Sequence, residues 1–120
     1  MKLPPARGRT FRISTLKWPD LQEFYSRHGW GEMAELVHHI RSKGYANRLF
    51  AFTSVGELVI GLYPELERGI ETLHVMYDKD AGGYRLQYFA TSTRQPEVER
   101  IDPKDAGLKK FDDFIAYLKL

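Results

Sequence analysis

The middle of the chain, from Arg48 to Thr91, contains four short runs of strand-favouring residues, and the third and fourth runs alternate between two sets of side chains. Strand side chains point to opposite faces in turn, so this alternation is typical of half-buried strands. A break at Val55-Gly56 separates the first two runs, and an Asp- and Gly-rich loop separates the last two, which is typical of hairpins. The pattern predicts a four-stranded antiparallel meander. Its strands are expected at residues 49–54, 57–63, 72–78 and 84–89.

Two helical patterns precede the sheet. Pro19 and Asp20 suit the first turn of a helix, since proline fits there and an acid complements the helix dipole. Apolar residues then recur at i, i+3 and i+4 until Gly29 and Gly31 break the pattern, and the same spacing resumes over residues 32–43. We therefore predict two consecutive amphipathic helices.

A third helix is predicted at the carboxyl end. Asp102 has the side chain of a good N-cap, and Pro103 suits the first helical position. Residues 97–101, just before it, carry a weak strand pattern because their apolar residues do not alternate, so we expect four to five strands. The apolar stripe that this helix would place on the sheet consists of Leu108, Phe111, Ile115 and Leu118, and Phe114 and Tyr117 widen it.

Together these elements predict an α+β fold, an antiparallel four- to five-stranded meander sheet packed by two N-terminal helical segments and one C-terminal helix. A chain of 120 residues suits one core. We predict a basic N-terminal arm over residues 1–17, with a short strand within 9–14 that pairs with a sheet edge. A single α+β domain follows over residues 18–120. Pro64 cannot continue a central strand, so we predict a loop over residues 64–69.

Composition excludes several protein classes. The chain has no cysteine, so it has neither disulfides nor thiolate chemistry. Its apolar runs are far shorter than the roughly 20 residues that cross a bilayer, and its N-terminus lacks the apolar run of a secretory signal. We therefore expect a cytoplasmic protein with no membrane partner.

No motif indicates a cofactor, a metal or a nucleophile. The sequence contains no P-loop, no dinucleotide-binding glycine pattern and no nucleophile elbow. His38 and His39 are adjacent and so point about 100° apart on a helix, unlike the i, i+4 pairs that bind zinc. The loop at 78–83 lacks the closing glutamate of a calcium loop. We predict no catalytic residues, no cofactor and no metal site.

One face of the predicted sheet combines aromatic, methionine and arginine side chains. This composition is typical of protein interfaces. Alternatively, the N-terminal helices cover this face and the same residues belong to a three-layer core. The residues predicted to bind a partner are Phe50, Phe52, His74, Met76, Arg85 and Phe89.

Positive charge is concentrated at the N-terminus. Five basic residues precede the first acid, Asp20, so residues 1–19 carry +5 and the rest of the chain −3, for a net charge of +2. Basic side chains neutralise phosphates and aromatic rings stack on bases, so this arm could bind nucleic acid. A solvated tail explains the same charges. The nucleic-acid candidates are Arg7, Arg9, Arg12, Lys17 and Trp18.

Three functional hypotheses follow from these surfaces. The leading one is a small non-catalytic module of the inhibitor, immunity or adaptor type, which binds a protein partner or its own copy through the sheet face or an open sheet edge. The alternative is a nucleic-acid-binding domain that uses the basic arm. The third is a small hydrolase or ligand-binding protein in which His74 acts with Glu71 or Arg85 in a cleft.

Overall fold

The computed structural model describes residues 12–67, 71–90 and 95–120. Within them, two helices precede and one follows a five-stranded antiparallel sheet, so the predicted α+β fold is confirmed. The elements in chain order are β1 (Arg12–Ser14), α1 (Trp18–Arg27), α2 (Gly31–Ser42), a 3-10 turn (Tyr45–Asn47), β2 (Phe50–Ser54), β3 (Glu57–Gly61), β4 (Glu65–Glu67), β5 (Thr72–Asp78), β6 (Gly83–Phe89), β7 (Val98–Pro103) and α3 (Lys104–Leu118).

The main sheet is a meander with the strand order β2-β3-β5-β6-β7. Tight hairpins join β2 to β3 and β5 to β6, with Ser54 opposite Glu57 and Asp78 opposite Gly83. Strand β7, which the sequence pattern indicated only weakly, pairs with β6 and forms one edge of the sheet. The meander prediction is therefore confirmed at its upper count of strands.

A small second sheet ties the N-terminal segment to the rest of the fold. Strand β1, inside the predicted 9–14 segment, pairs with β4, with Arg12 opposite Glu67. The predicted loop at 64–69 is therefore wrong over β4. Pro64 stays outside that strand, and its carbonyl accepts the backbone N–H and the hydroxyl of Thr15. The N–H of Leu16 then donates to the carbonyl of Ala51 at 2.8 Å, which joins the segment to the edge of β2.

The described helices all pack on the same face of the sheet, which we call the covered face. The hydroxyl of Tyr25 in α1 meets that of Thr53 in β2 at 2.9 Å, and the hydroxyl of Tyr84 in β6 donates to the carbonyl of Glu32 in α2. The three-layer alternative is therefore wrong for the residues that the structure describes. The buried sheet residues of this face are Ala51, Leu58, Ile60, Leu73, Val75, Tyr84 and Leu86.

Helix α3 begins later than its sequence predicts. Asp102 and Pro103 both belong to β7, and the helix starts at Lys104 with Pro103 in the cap position. The prediction of Asp102 as N-cap is therefore wrong. Asp102 is only 6% exposed, and its carboxylate accepts a hydrogen bond from the Arg100 guanidinium at 3.0 Å. Arg100 also lies over the ring of Phe114 at 5.0 Å. Because β7 directs this ion pair toward the covered face, its sequence lacks the apolar alternation of the other strands.

The apolar stripe of α3 packs against the core largely as predicted. Phe111 and Ile115 are buried, whereas Leu108 and Leu118 are only partly buried against the core. Of the two residues expected to widen the stripe, Phe114 is buried and Tyr117 is 74% exposed. In its first turn, Gly107 packs so closely on Tyr84 of β6 that a Cβ there would overlap the ring.

Candidate functional site

The sheet face opposite the helices, called the open face below, is not covered by any described element. Its residues align across the strands, with Phe52 opposite Val59, Val59 opposite His74, and His74 opposite Gln87. Val59 is only 5% exposed although no described helix covers it, so its neighbours pack over it. The predicted partner-binding residues all lie on this face and are all half-buried: Phe50, Phe52, His74, Met76, Arg85 and Phe89.

His74 is the centre of a polar network on the open face. Its Nδ1 lies 3.0 Å from Oε1 of Glu57, and its Nε2 lies 3.2 Å from Oγ1 of Thr72. The ring of Phe89 meets the imidazole edge to face at 4.8 Å between centroids. Both ring nitrogens therefore have partners, and the imidazole is held in one orientation.

Hydroxyl, imidazole and carboxylate stand here in the order of a hydrolytic triad, but the surroundings do not complete one. Acyl transfer needs free N–H groups directed at the developing oxyanion. Thr72 and His74 lie in β5, which pairs with β3 on one side and β6 on the other, so the backbone N–H groups beside them serve the sheet. The network is better suited to positioning His74 than to activating Thr72.

The two partners that the hydrolase hypothesis assigned to His74 are engaged elsewhere. Glu71 accepts a hydrogen bond from the hydroxyl of Tyr88, a residue of the covered face. Arg85 contacts Asp78 at 2.6 Å and Glu99 at 3.7 Å. In this structure His74 is therefore paired with Glu57 and Thr72 rather than with Glu71 or Arg85.

Charged residues form a border on the β6–β7 side of the open face. Arg85 lies between the carboxylates of Asp78 and Glu99, and the amide of Gln87 also donates to Glu99 at 2.9 Å. The backbone N–H of Ala81 and then the Arg85 guanidinium hold the pKa of Asp78 below its usual value. Asp78 is therefore ionised at neutral pH and keeps Arg85 extended across the sheet.

The β2–β3 hairpin projects an apolar side chain beyond the end of the sheet. Val55 is 95% exposed and has a φ of 51°, and Gly56 follows with a φ of 85°. Two positive φ values define the hairpin turn that normally uses Asn-Gly, and a β-branched residue there is strained. Beside this tip lies a cavity of about 260 Å³, lined by Trp30 and by Met76 of the open face.

The basic residues of the nucleic-acid hypothesis do not form one described surface. Arg7 and Arg9 lie outside the described residues, and Arg12 is in β1. Lys17 is exposed just before α1. Trp18 is 7% exposed, and its indole N–H donates to the carbonyl of Leu49 at 2.9 Å. This tryptophan is a core residue whose ring faces are not available for stacking on a base.

The sequence pattern did not identify the polar partners of the open face. Glu57 and Thr72 hold His74, and Asp78 and Glu99 hold Arg85. Of these, Glu99 could not be assigned to a sheet face from the sequence, because its strand has no clear alternation. The signal that finds the others is the strand register, since residues at alternate positions of one strand, and residues opposite one another, share a face.

Several other site types find no support in the part of the chain that the structure describes. No group of three or more His, Asp or Glu side chains there is arranged to hold a metal ion. No helix within the described ranges is long and apolar enough to cross a membrane. Comparisons with protein-family models, with curated proteins and with solved structures each found no match for this chain.

Proposed function

We propose that the chain is a small non-catalytic module that binds another protein through the open face of its sheet. The observation that carries this proposal is the uncovered face itself, where Phe52, Met76 and Phe89 stand among the fixed polar groups of His74 and Arg85. Aromatic residues, Met and Arg are enriched in protein interfaces. Inhibitors, immunity proteins and adaptors are the kinds of protein that this description fits.

The open face also has the layout expected of a binding surface. Phe52 and Val59 form an apolar part of it on β2 and β3, and the ion pairs of Arg85 lie on its β6–β7 side, so the face offers both the apolar and the polar contacts of protein interfaces. The cavity beside Met76 is large enough for one anchoring side chain. We therefore expect a partner that presents an apolar or aromatic anchor surrounded by polar groups.

Phe52→Arg tests this proposal. The substitution places a charge opposite Val59 on the open face without touching the helices. We immobilise the chain, capture proteins from a native lysate, and titrate the purified partner against each version. Tyr117→Arg is the matched control, because Tyr117 is an aromatic residue of α3 that is 74% exposed. Circular dichroism and urea unfolding establish that both variants fold.

The expected result is binding of the same partner by the wild type and by Tyr117→Arg, with an affinity for Phe52→Arg that is at least about tenfold lower. A tenfold loss corresponds to about 1.4 kcal/mol, which is less than the loss of a typical hot-spot residue. Equal binding by all three versions, or capture by none of them, contradicts the proposal.

A further inference from the structure

Strand β7 presents an edge that no described element pairs. It lies at the end of the strand order, with β6 on its inner side. An unpaired edge carries a row of free N–H and C=O groups and is a template for another strand.

The hydrogen bonding of β6 and β7 identifies the outward groups. The N–H of Lys104 donates to the carbonyl of Gly82 at 3.0 Å, in line with the register that pairs Asp102 with Tyr84. Hydrogen-bonded pairs alternate in an antiparallel ladder, so Asp102 and Arg100 direct their backbone groups toward β6. Ile101 and Glu99 therefore direct theirs outward.

One exposed aliphatic side chain on this edge, Ile101, stands between the charged residues Arg100 and Asp102. Ile101 is on the open face and is 42% exposed. Arg100 and Asp102 are on the covered face. Pro103 offers a carbonyl but has no N–H. Charges and proline are also devices that prevent strands from pairing at an edge. The order of these charges distinguishes a blocked edge from a self-complementary one.

We propose that the β7 edge pairs with the β7 edge of a second copy of this chain, antiparallel and centred on Ile101. In that register the two Ile101 backbones exchange hydrogen bonds and their side chains meet on the open face. Arg100 of each copy, which is paired with Asp102 of its own chain, lies opposite Asp102 of the other copy, so the two ion pairs become neighbours across the symmetry axis. The N–H of Glu99 reaches the carbonyl of Pro103. Opposite charges directly across a strand pair stabilise it.

The neighbouring registers are unfavourable. Centring the pair on Arg100 places the two arginines opposite each other, and centring it on Glu99 does the same for the two glutamates. Like charges directly opposite destabilise a strand pair. The charge order of β7 therefore favours the register centred on Ile101. An edge whose charges only prevented pairing would favour no register.

This inference deepens the proposed function by naming a second copy as one protein partner, and it concerns the sheet edge rather than the open face. Pairing would join two sheets into one and make the two open faces continuous across the symmetry axis. A partner could then contact both copies. An edge contact alone is smaller than a typical stable interface, so we expect a dimer that dissociates on dilution.

A symmetric disulfide tests the register. The chain has no cysteine, so Ile101→Cys introduces the only thiol. Residues of a hydrogen-bonded antiparallel pair have Cα atoms about 5.5 Å apart, within the range that a disulfide spans. Glu99→Cys is the matched control, because it is also on the outward edge. In the proposed register its two copies are offset by four residues, or roughly 13 Å.

We expect air oxidation to convert Ile101→Cys to dimer on a non-reducing gel, with about tenfold less dimer for Glu99→Cys. Light scattering of the cysteine-free wild type should show a mass that rises with concentration, and Ile101→Lys should remain monomeric. Equal cross-linking of both cysteine variants, or a wild type that is monomeric at every concentration, overturns the inference. Phe52→Arg leaves this edge intact, so its dimerisation reports on the edge separately from binding at the open face.

Discussion

At the scale of single residues, tyrosine hydroxyls join the helices to the sheet. Tyr25 is fully buried and its hydroxyl contacts Thr53. Burial raises the pKa of Tyr25 to about 12, a change that the Thr53 hydrogen bond opposes and the Glu57 carboxylate supports. Burial likewise raises the pKa of Tyr88 to about 12. The folded chain therefore holds these protons more tightly than the unfolded chain.

This difference predicts how stability depends on alkaline pH. An unfolded tyrosine ionises near pH 10, whereas Tyr25 in the folded chain ionises near pH 12. Between these values the unfolded state binds fewer protons, so the free energy of unfolding falls as pH rises. One such group contributes a slope of up to about 1.4 kcal/mol per pH unit. Below pH 10 this contribution is fully present.

Tyr25→Phe should reduce that slope, and we would measure it by urea unfolding at pH 9, 10.5 and 11.5, values chosen to bracket roughly the range over which the proton is lost. Loss of the Thr53 contact lowers stability at every pH, so the slope and not the absolute value is compared. Tyr117→Phe, at an exposed position of α3, is the control and should keep the wild-type slope. The same slope for Tyr25→Phe and wild type would contradict the argument.

At the scale of elements, the β2–β3 hairpin combines strain with exposed apolar surface. Val55 holds a positive φ that costs roughly 1–2 kcal/mol for a residue with a Cβ. Asn is tolerated in this conformation and is common at this position of such turns. The valine therefore lowers the stability of the turn while presenting an apolar tip beside the open face.

Val55→Asn should raise the free energy of unfolding by about 1 kcal/mol, because it relieves this strain. Val55→Thr is the matched control, since it keeps the branched Cβ and removes only the apolar character. Urea unfolding of the two variants gives the comparison. A gain for threonine equal to that for asparagine would show that exposed apolar surface, and not backbone strain, limits the turn.

At the scale of the whole molecule, charge is unevenly distributed but the basic residues are dispersed in the fold. Residues 1–19 carry +5 against −3 for the remainder. Arg12 lies in β1 opposite Glu67, and Trp18 is buried. Nucleic-acid binding draws its affinity from phosphate contacts that lie on one surface. We therefore rank this hypothesis below protein binding.

Replacing Arg7, Arg9 and Arg12 together by Ala should leave the binding of labelled mixed-sequence DNA and RNA unchanged at near-physiological salt. Fluorescence anisotropy at low and near-physiological salt measures this. Replacing Lys109, Lys110 and Lys119, which are exposed in and after α3, removes the same charge as a control. Steeply salt-dependent binding that only the arginine variant loses would place nucleic acid first.

Much of the fold and of the open face was predictable because side-chain periodicity is local. Alternation in β5 and β6 is enough to place Leu73 and Leu86 on one face of the sheet and His74 and Arg85 on the other. The partners of His74 were not predictable in the same way. Glu57 is 17 residues from His74 along the chain, and only the pairing of β3 with β5 brings them together.

The sequence by itself determined the three helices and the first four strands of the main sheet in chain order, because hydrophobic period and turn residues act over a few neighbouring positions. The fifth strand, β7, was only weakly indicated. The tertiary structure decided what depends on distant contacts. It placed all the described helices on one face and left the other open, buried Trp18 against Leu49, and paired β4 with β1. It also placed Asp102 in β7, where Arg100 holds its carboxylate. These outcomes depend on which surfaces meet, and long-range packing overrides local preference.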